Sequence, residues 1–158
     1  MKKLHITLIA LFMLFAAQAQ TVTEKDLLGE WTPSKLEMQG TTINFKTGDV
    51  TFSKEVEEEA TAGGQDIEEV KEMVKEGLAG QGIDKVRVVF KPGMAADFHK
   101  EDSVKNLTYT LKEENGATIL TRSDGKIMVV SLKDGFLQIV PEGQDGAGGP
   151  SIFFEKKK

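Results

Sequence analysis

His99 is the only imidazole in the chain outside an apolar leader, since the other histidine is His5. An imidazole that titrates near neutrality can serve as a general base or a zinc ligand, but a triad needs a serine and a carboxylate, and a zinc site needs further ligands. His99 is followed by Lys100, Glu101 and Asp102, a run that reads as a solvated strand end. Carboxylates are abundant, yet Glu57, Glu58 and Glu59 form a wet helix face, and no two carboxylates are marked as an acid and base pair. The segment from Pro141 to Pro150 is rich in glycine but lacks the Gly-Lys-Ser/Thr ending of a phosphate loop, so it reads as a hairpin connection. Glu142 and Asp145 supply too few acceptors for a calcium loop. Asn106-Leu107-Thr108 fits a glycosylation sequon but falls within a strand pattern. With no cysteine, thiolate nucleophiles, disulfides and Cys-ligated zinc are all excluded. No catalytic residue, metal or cofactor is expected, and the chain reads as a non-enzyme.

The elements that would carry any site begin after a secretory leader. Lys2 and Lys3 precede an apolar stretch from Leu4 to Phe15, and Ala17-Gln18-Ala19 offers small residues where a signal peptidase reads. The apolar run is shorter than the roughly twenty residues that a membrane span needs. Residues 1–19 are therefore expected to be a signal peptide. Residues 20–158 are expected to be a single secreted or periplasmic domain with no stable membrane insertion. The formal charge is −5, and loss of Lys2 and Lys3 takes it to −7, which repels phosphate backbones and makes nucleic acid an unsuitable partner. Lys156-Lys157-Lys158 reads as a frayed, solubilising terminus.

From Asp84 onward, short apolar stretches alternate with turn dipeptides. Val86 to Phe90 precedes Pro92-Gly93, and Met94 to His99 follows. Leu107 to Leu111 precedes Asn115-Gly116, Ala117 to Thr121 precedes Asp124-Gly125, and Ile127 to Leu132 precedes Asp134-Gly135 and Phe136 to Val140. Asn-Gly and Asp-Gly supply the φ > 0 positions of tight hairpins, so the pattern predicts a sequential antiparallel meander. Val86, Val88 and Phe90, like Leu107, Tyr109 and Leu111, share one face of their strands. Met128 to Val130 and Phe136-Leu137 are apolar on both faces, which predicts cover on the outside. Two earlier strands are predicted at Gly29 to Glu37 and Thr41 to Ser53, the second interrupted at Thr47-Gly48-Asp49. A helical insertion over about 54–80 is broken at Gly63-Gly64. Its stripe of Ile67, Val70, Met73, Val74 and Leu78 reads as packing against the sheet.

About eight antiparallel strands from one short chain hide their edges by closing, which makes an interior either filled by side chains or able to hold one small ligand. The fold class is thus mainly β, an up-and-down meander closed into a barrel. Candidate lining residues are Phe45, Phe52, Val88, Phe90, Phe98, Tyr109, Leu111 and Ile119, which would equally form the core of a filled barrel. Burying about 300 Å² of an apolar ligand at roughly 25 cal/mol/Å² would supply near 7 kcal/mol before association costs. The helices are open to a role as lid or as plug. A returning strand at Ser151 to Glu155, paired with the strand around Trp31, would remove the sheet's edge and direct binding to the interior or the loops. An unpaired Ile152-Phe153-Phe154 strand would favour a protein partner by strand addition.

The opening Leu27-Leu28-Gly29-Glu30-Trp31 resembles the Gly-x-Trp start of the lipocalin or calycin group. The layout as a whole is similar to lipocalin-like domains of unknown function in secreted Bacteroidetes proteins, with a helical insertion and then a meander containing a tyrosine strand. A recognisable Thr-Asp-Tyr motif and a clear late arginine are missing. The resemblance implies that Gly29 and Trp31 are structural, with Trp31 closing one end of the barrel beneath a late basic residue, either Arg122 or Lys156. It implies a barrel that binds a small hydrophobic molecule. The alternative is a filled structural or protein-interaction module of the cell envelope.

Overall fold

The computed structural model describes residues 21–80, 82–141 and 149–158. The leader at 1–19 and most of the glycine-rich connection, including Glu142 and Asp145, lie outside the described residues. Among the described residues no helix is long and apolar enough to cross a membrane.

Ten strands are described, eight of which close a barrel. The strands are β1 (Gly29–Met38), β2 (Thr41–Asn44), β3 (Val50–Phe52), β4 (Val86–Lys91), β5 (Ala95–Lys100), β6 (Ser103–Glu114), β7 (Ala117–Arg122), β8 (Ile127–Lys133), β9 (Phe136–Pro141) and β10 (Ser151–Lys156). From β4 to β10 each strand pairs antiparallel with the next, and β10 then pairs with β1, which also pairs with β4. The predicted meander and its closure are both present. The closing seam sets Trp31 opposite Lys156 and Leu36 opposite Ile152, so the edge of the barrel sheet is paired. Pro33 stands at the irregularity between Pro33 and Lys35, where a bulge tolerates a residue without an N–H.

Turn chemistry explains the sharp reversals. Asn115-Gly116 has φ of 52° and 79°, and Asp134-Gly135 has 52° and 84°, the two successive positive values of the hairpin turn whose twist matches its strands. Gln39-Gly40 does the same at 47° and 74°, without an Asn or Asp to announce it. These reversals give the barrel two unlike ends. The β4–β5, β6–β7 and β8–β9 turns lie at one end; the β5–β6 and β7–β8 turns and the start of β10 lie at the other.

The first end is closed by the segment leading into β1. A single turn of helix, α1 (Glu24–Leu27), is capped by Thr23, whose N–H and hydroxyl both donate to the Asp26 carboxylate. The Glu24 carboxylate accepts the Gly93 and Met94 amides at 2.6 and 2.9 Å, and the Val22 amide donates to the buried Thr118 hydroxyl. Val22 and Leu27 are thereby buried with Trp31, Phe90, Tyr109, Leu120, Val130 and Leu137.

β1 runs from this closed end to the open one, where it leaves β4 and pairs with β2. The β2–β3 hairpin carries α2 (Lys54–Ala62) and α3 (Ile67–Ala79), separated near Gly63-Gly64 as expected. A second, smaller core forms there from Leu36, Ile43 and Val50, packed by Phe45, Phe52, Val74, Leu78 and Ile152. The helical stripe is only partly used, since Met73 remains 59% exposed.

Candidate functional site

Between the plugged half and the open end, the interior is not filled. A cavity of about 620 Å³ lies there, within the range of small-molecule sites. Its walls follow from strand alternation: Val86 and Val88 on β4, Phe98 on β5, Met128 on β8, Ile139 on β9, and Ile152 and Phe154 on β10. Ile83, after the helices, completes the apolar rim.

The same alternation places cations at the mouth. Lys100 follows Phe98 by two residues, Lys105 precedes Leu107 by two, Arg122 follows Leu120 by two, and Lys126 precedes Met128 by two; all four line the cavity. Lys105 is paired directly with Phe98 across the β5–β6 ladder, and Arg122 with Tyr109 across β6–β7. No carboxylate is among the described lining residues, although the chain is acidic overall.

Arg122 is the most enclosed of these cations, with its side chain 11% exposed. Its guanidinium carbon lies 4.1 Å from the centroid of the Phe98 ring, a cation–π contact. Nη2 donates to Asp124 at 2.6 Å, and Lys105 Nζ reaches the same carboxylate oxygen at 2.8 Å. The Lys105 ammonium first, and then the Arg122 guanidinium, pull the Asp124 carboxyl down to about 2. One carboxylate thus serves two cations. Arg122 Nε is buried and has no acceptor among the described residues. A buried N–H left in that state costs about 1–3 kcal/mol, which an incoming acceptor would recover in part.

His99 sits at the rim on β5, half-buried, with Arg87 Nη2 2.9 Å from its Nδ1. Because a guanidinium only donates, Nδ1 accepts and the proton of the neutral ring is on Nε2. No group of three potential metal ligands occurs among the described residues.

Of the residues put forward from sequence, Val88 and Phe98 line the cavity. Phe90 and Tyr109 lie in the plugged half, where their rings meet edge to face with centroids 5.3 Å apart, and Leu111 packs against the same cluster. Ile119 has the parity opposite to the buried Thr118 and Leu120 and pairs with Lys112 and Val129 on the outer face. Phe45 and Phe52 join the second core, and Phe45 borders a shallow depression with Lys75, Leu78 and Asp84.

Trp31 is 2% exposed and donates from Nε1 to the Leu27 carbonyl at 2.6 Å. The basic side chain over its ring is Lys156, with Nζ 5.3 Å from the centroid, whereas Arg122 belongs to the cavity. Gly29 has φ +117°, and a Cβ there would come within 2.9 Å of Lys156 Cε. Lys156 and Lys157 are tied down instead of frayed. The Lys157 amide donates to the Glu30 carbonyl at 2.8 Å, and Lys157 Nζ pairs with the Glu30 carboxylate at 3.1 Å.

No family model matches this chain, and no curated protein matches it.

Proposed function

We propose that this protein is a secreted or periplasmic lipocalin-like binding barrel that takes a small, largely apolar molecule into its open half, without catalysis. The observation that carries the reading is the cavity of about 620 Å³ walled by Val86, Val88, Phe98, Met128, Ile139 and Ile152. A ligand there is enclosed by strands whose register is fixed on both edges, so little ordering cost falls on the protein when it binds. The plug of Val22, Leu27 and Trp31 supports entry from the other end alone.

The test is native mass spectrometry of the protein purified gently from its own host, compared with the same sample denatured and extracted. An adduct of small mass that disappears on denaturation is the expected result. Bare chain mass under every growth condition and after lipid addition would replace this reading with that of an envelope interaction module. One feature favours that second reading: Ile119, Val129 and Val140 form a partly exposed apolar row across three strands of the outer face.

A further inference from the structure

We infer that the molecule taken into this cavity is an amphiphile with one anionic head, its apolar body against Val88, Met128 and Ile152 and its head at Arg122. The inference rests on the binding-barrel reading and adds the head group to it. Three observations converge. The deep walls are apolar, so they select for the body of the ligand and offer a polar group nothing to bond. Among the described residues Lys100, Lys105, Arg122 and Lys126 line the mouth, and the one carboxylate bonded to them, Asp124, is shared by two, which leaves an excess of positive charge in a chain of net charge −5. Within that ring, Arg122 holds a buried Nε donor without an acceptor among the described residues, while Asp124 is shared between Arg122 and Lys105.

Lys100, Lys105 and Arg122 take the inward parity of their strands, in positions where alternation elsewhere puts Val, Leu and Met, and Lys126 stands just before β8. Asp124 offsets part of their mutual repulsion, and an entering anion would offset more. A carboxylate or phosphate head would lie among Arg122, Lys105 and Lys126, and a shift of the Arg122 side chain would let it accept from Nε. The planar guanidinium of Arg122, stacked near Phe98 and bonded to Asp124 through Nη2, is the kind of group that recognises such an acceptor. A neutral alcohol would satisfy one donor and leave the charges as they are. A cationic amphiphile would meet like charge.

The experiment uses the neutral fluorophore N-phenyl-1-naphthylamine as reporter of the apolar cavity, with dodecanoate, dodecyl phosphate and dodecanol as competitors, and calorimetry of dodecanoate alone. At least one anionic competitor is expected to displace the reporter about ten-fold more tightly than dodecanol, with an advantage that shrinks as salt is raised. The tighter of the two names the head. Arg122→Gln is expected to remove that advantage, read as the ratio of anionic to dodecanol affinity measured on the same variant. Lys126→Gln, at an exposed position, gives a smaller loss in the same direction and serves if Arg122→Gln does not fold. Equal competition by dodecanol, insensitive to salt and to both substitutions, would overturn the head-group inference and leave the binding barrel standing. Failure of the reporter and of every competitor to bind, by fluorescence and by calorimetry, would overturn both.

Discussion

Tyr109 shows how a single group can carry a pH signature. It is 4% exposed in the plugged half, its hydroxyl is buried without a partner among the described residues, and burial, reinforced by the Glu24 charge, pushes the phenol up to about 12. An unfolded tyrosine ionises near 10, so between about 10 and 12 the unfolded chain loses a proton that the folded chain keeps, and stability falls as pH rises through that window. As this is the only tyrosine of the chain, phenolate absorbance follows it alone. The absorbance midpoint should lie well above that of the same protein in denaturant. Tyr109→Phe should flatten the alkaline loss of stability, and at neutral pH it should be neutral or stabilising by about 1 kcal/mol, since it deletes a hydroxyl that has no partner among the described residues. A midpoint equal to that of the denatured chain would mean that the hydroxyl is solvated.

At the scale of elements, α1 is too short to be stable alone and holds its place through Leu27, which is fully buried, and through the Glu24 bonds to the β4–β5 turn. Leu27→Ala should cost about 2–5 kcal/mol in urea unfolding, while Met73→Ala on α3 should change stability by no more than about 0.5 kcal/mol. Similar costs for the two would show that the strap is not part of the core. The hairpins of the meander were legible because Asn115-Gly116 and Asp134-Gly135 carry their own backbone requirement. The first residues of β6 were not, because Ser103, Lys105 and Asn106 are polar and Val104 is exposed like them, and the turn before them places Glu101 at φ 52°, a conformation that its type does not announce. The site was half legible. Alternation reveals which residues face inward, Lys105 and Arg122 included, but charges on an apolar parity read locally as solvated strand ends. Which half is hollow depends on the strap, whose bonds to Met94 and Thr118 span 70 and 96 residues. No local pattern carries that information, so Phe90, Tyr109 and Leu111 were indistinguishable in sequence from Val88 and Phe98.

For the whole molecule, the decisive contact is the seam between β1 and β10. It turns a sheet with two long free edges into a barrel, and the remaining flap ends in β3, a strand of three residues beside the helices. Truncation after Pro150 removes β10 and exposes the facing edges of β1 and β9 together with Phe153's neighbours on both strands. The truncated protein should lose its cooperative thermal transition and self-associate, as read by light scattering behind size exclusion. A monomeric product with the original transition would show that the other seven strands close without it.

The same seam also orders events in time. Each hairpin of the meander brings together residues close in the chain, whereas Trp31 meets Lys156 only after nearly the entire sequence between them has been gathered, an entropic cost that falls on the last step of assembly. Trp31, the sole indole of the protein, sits at that junction with its N–H on the Leu27 carbonyl. Its emission is therefore a clock for the moment of ring closure, and it runs at the far end of the molecule from whatever enters the mouth.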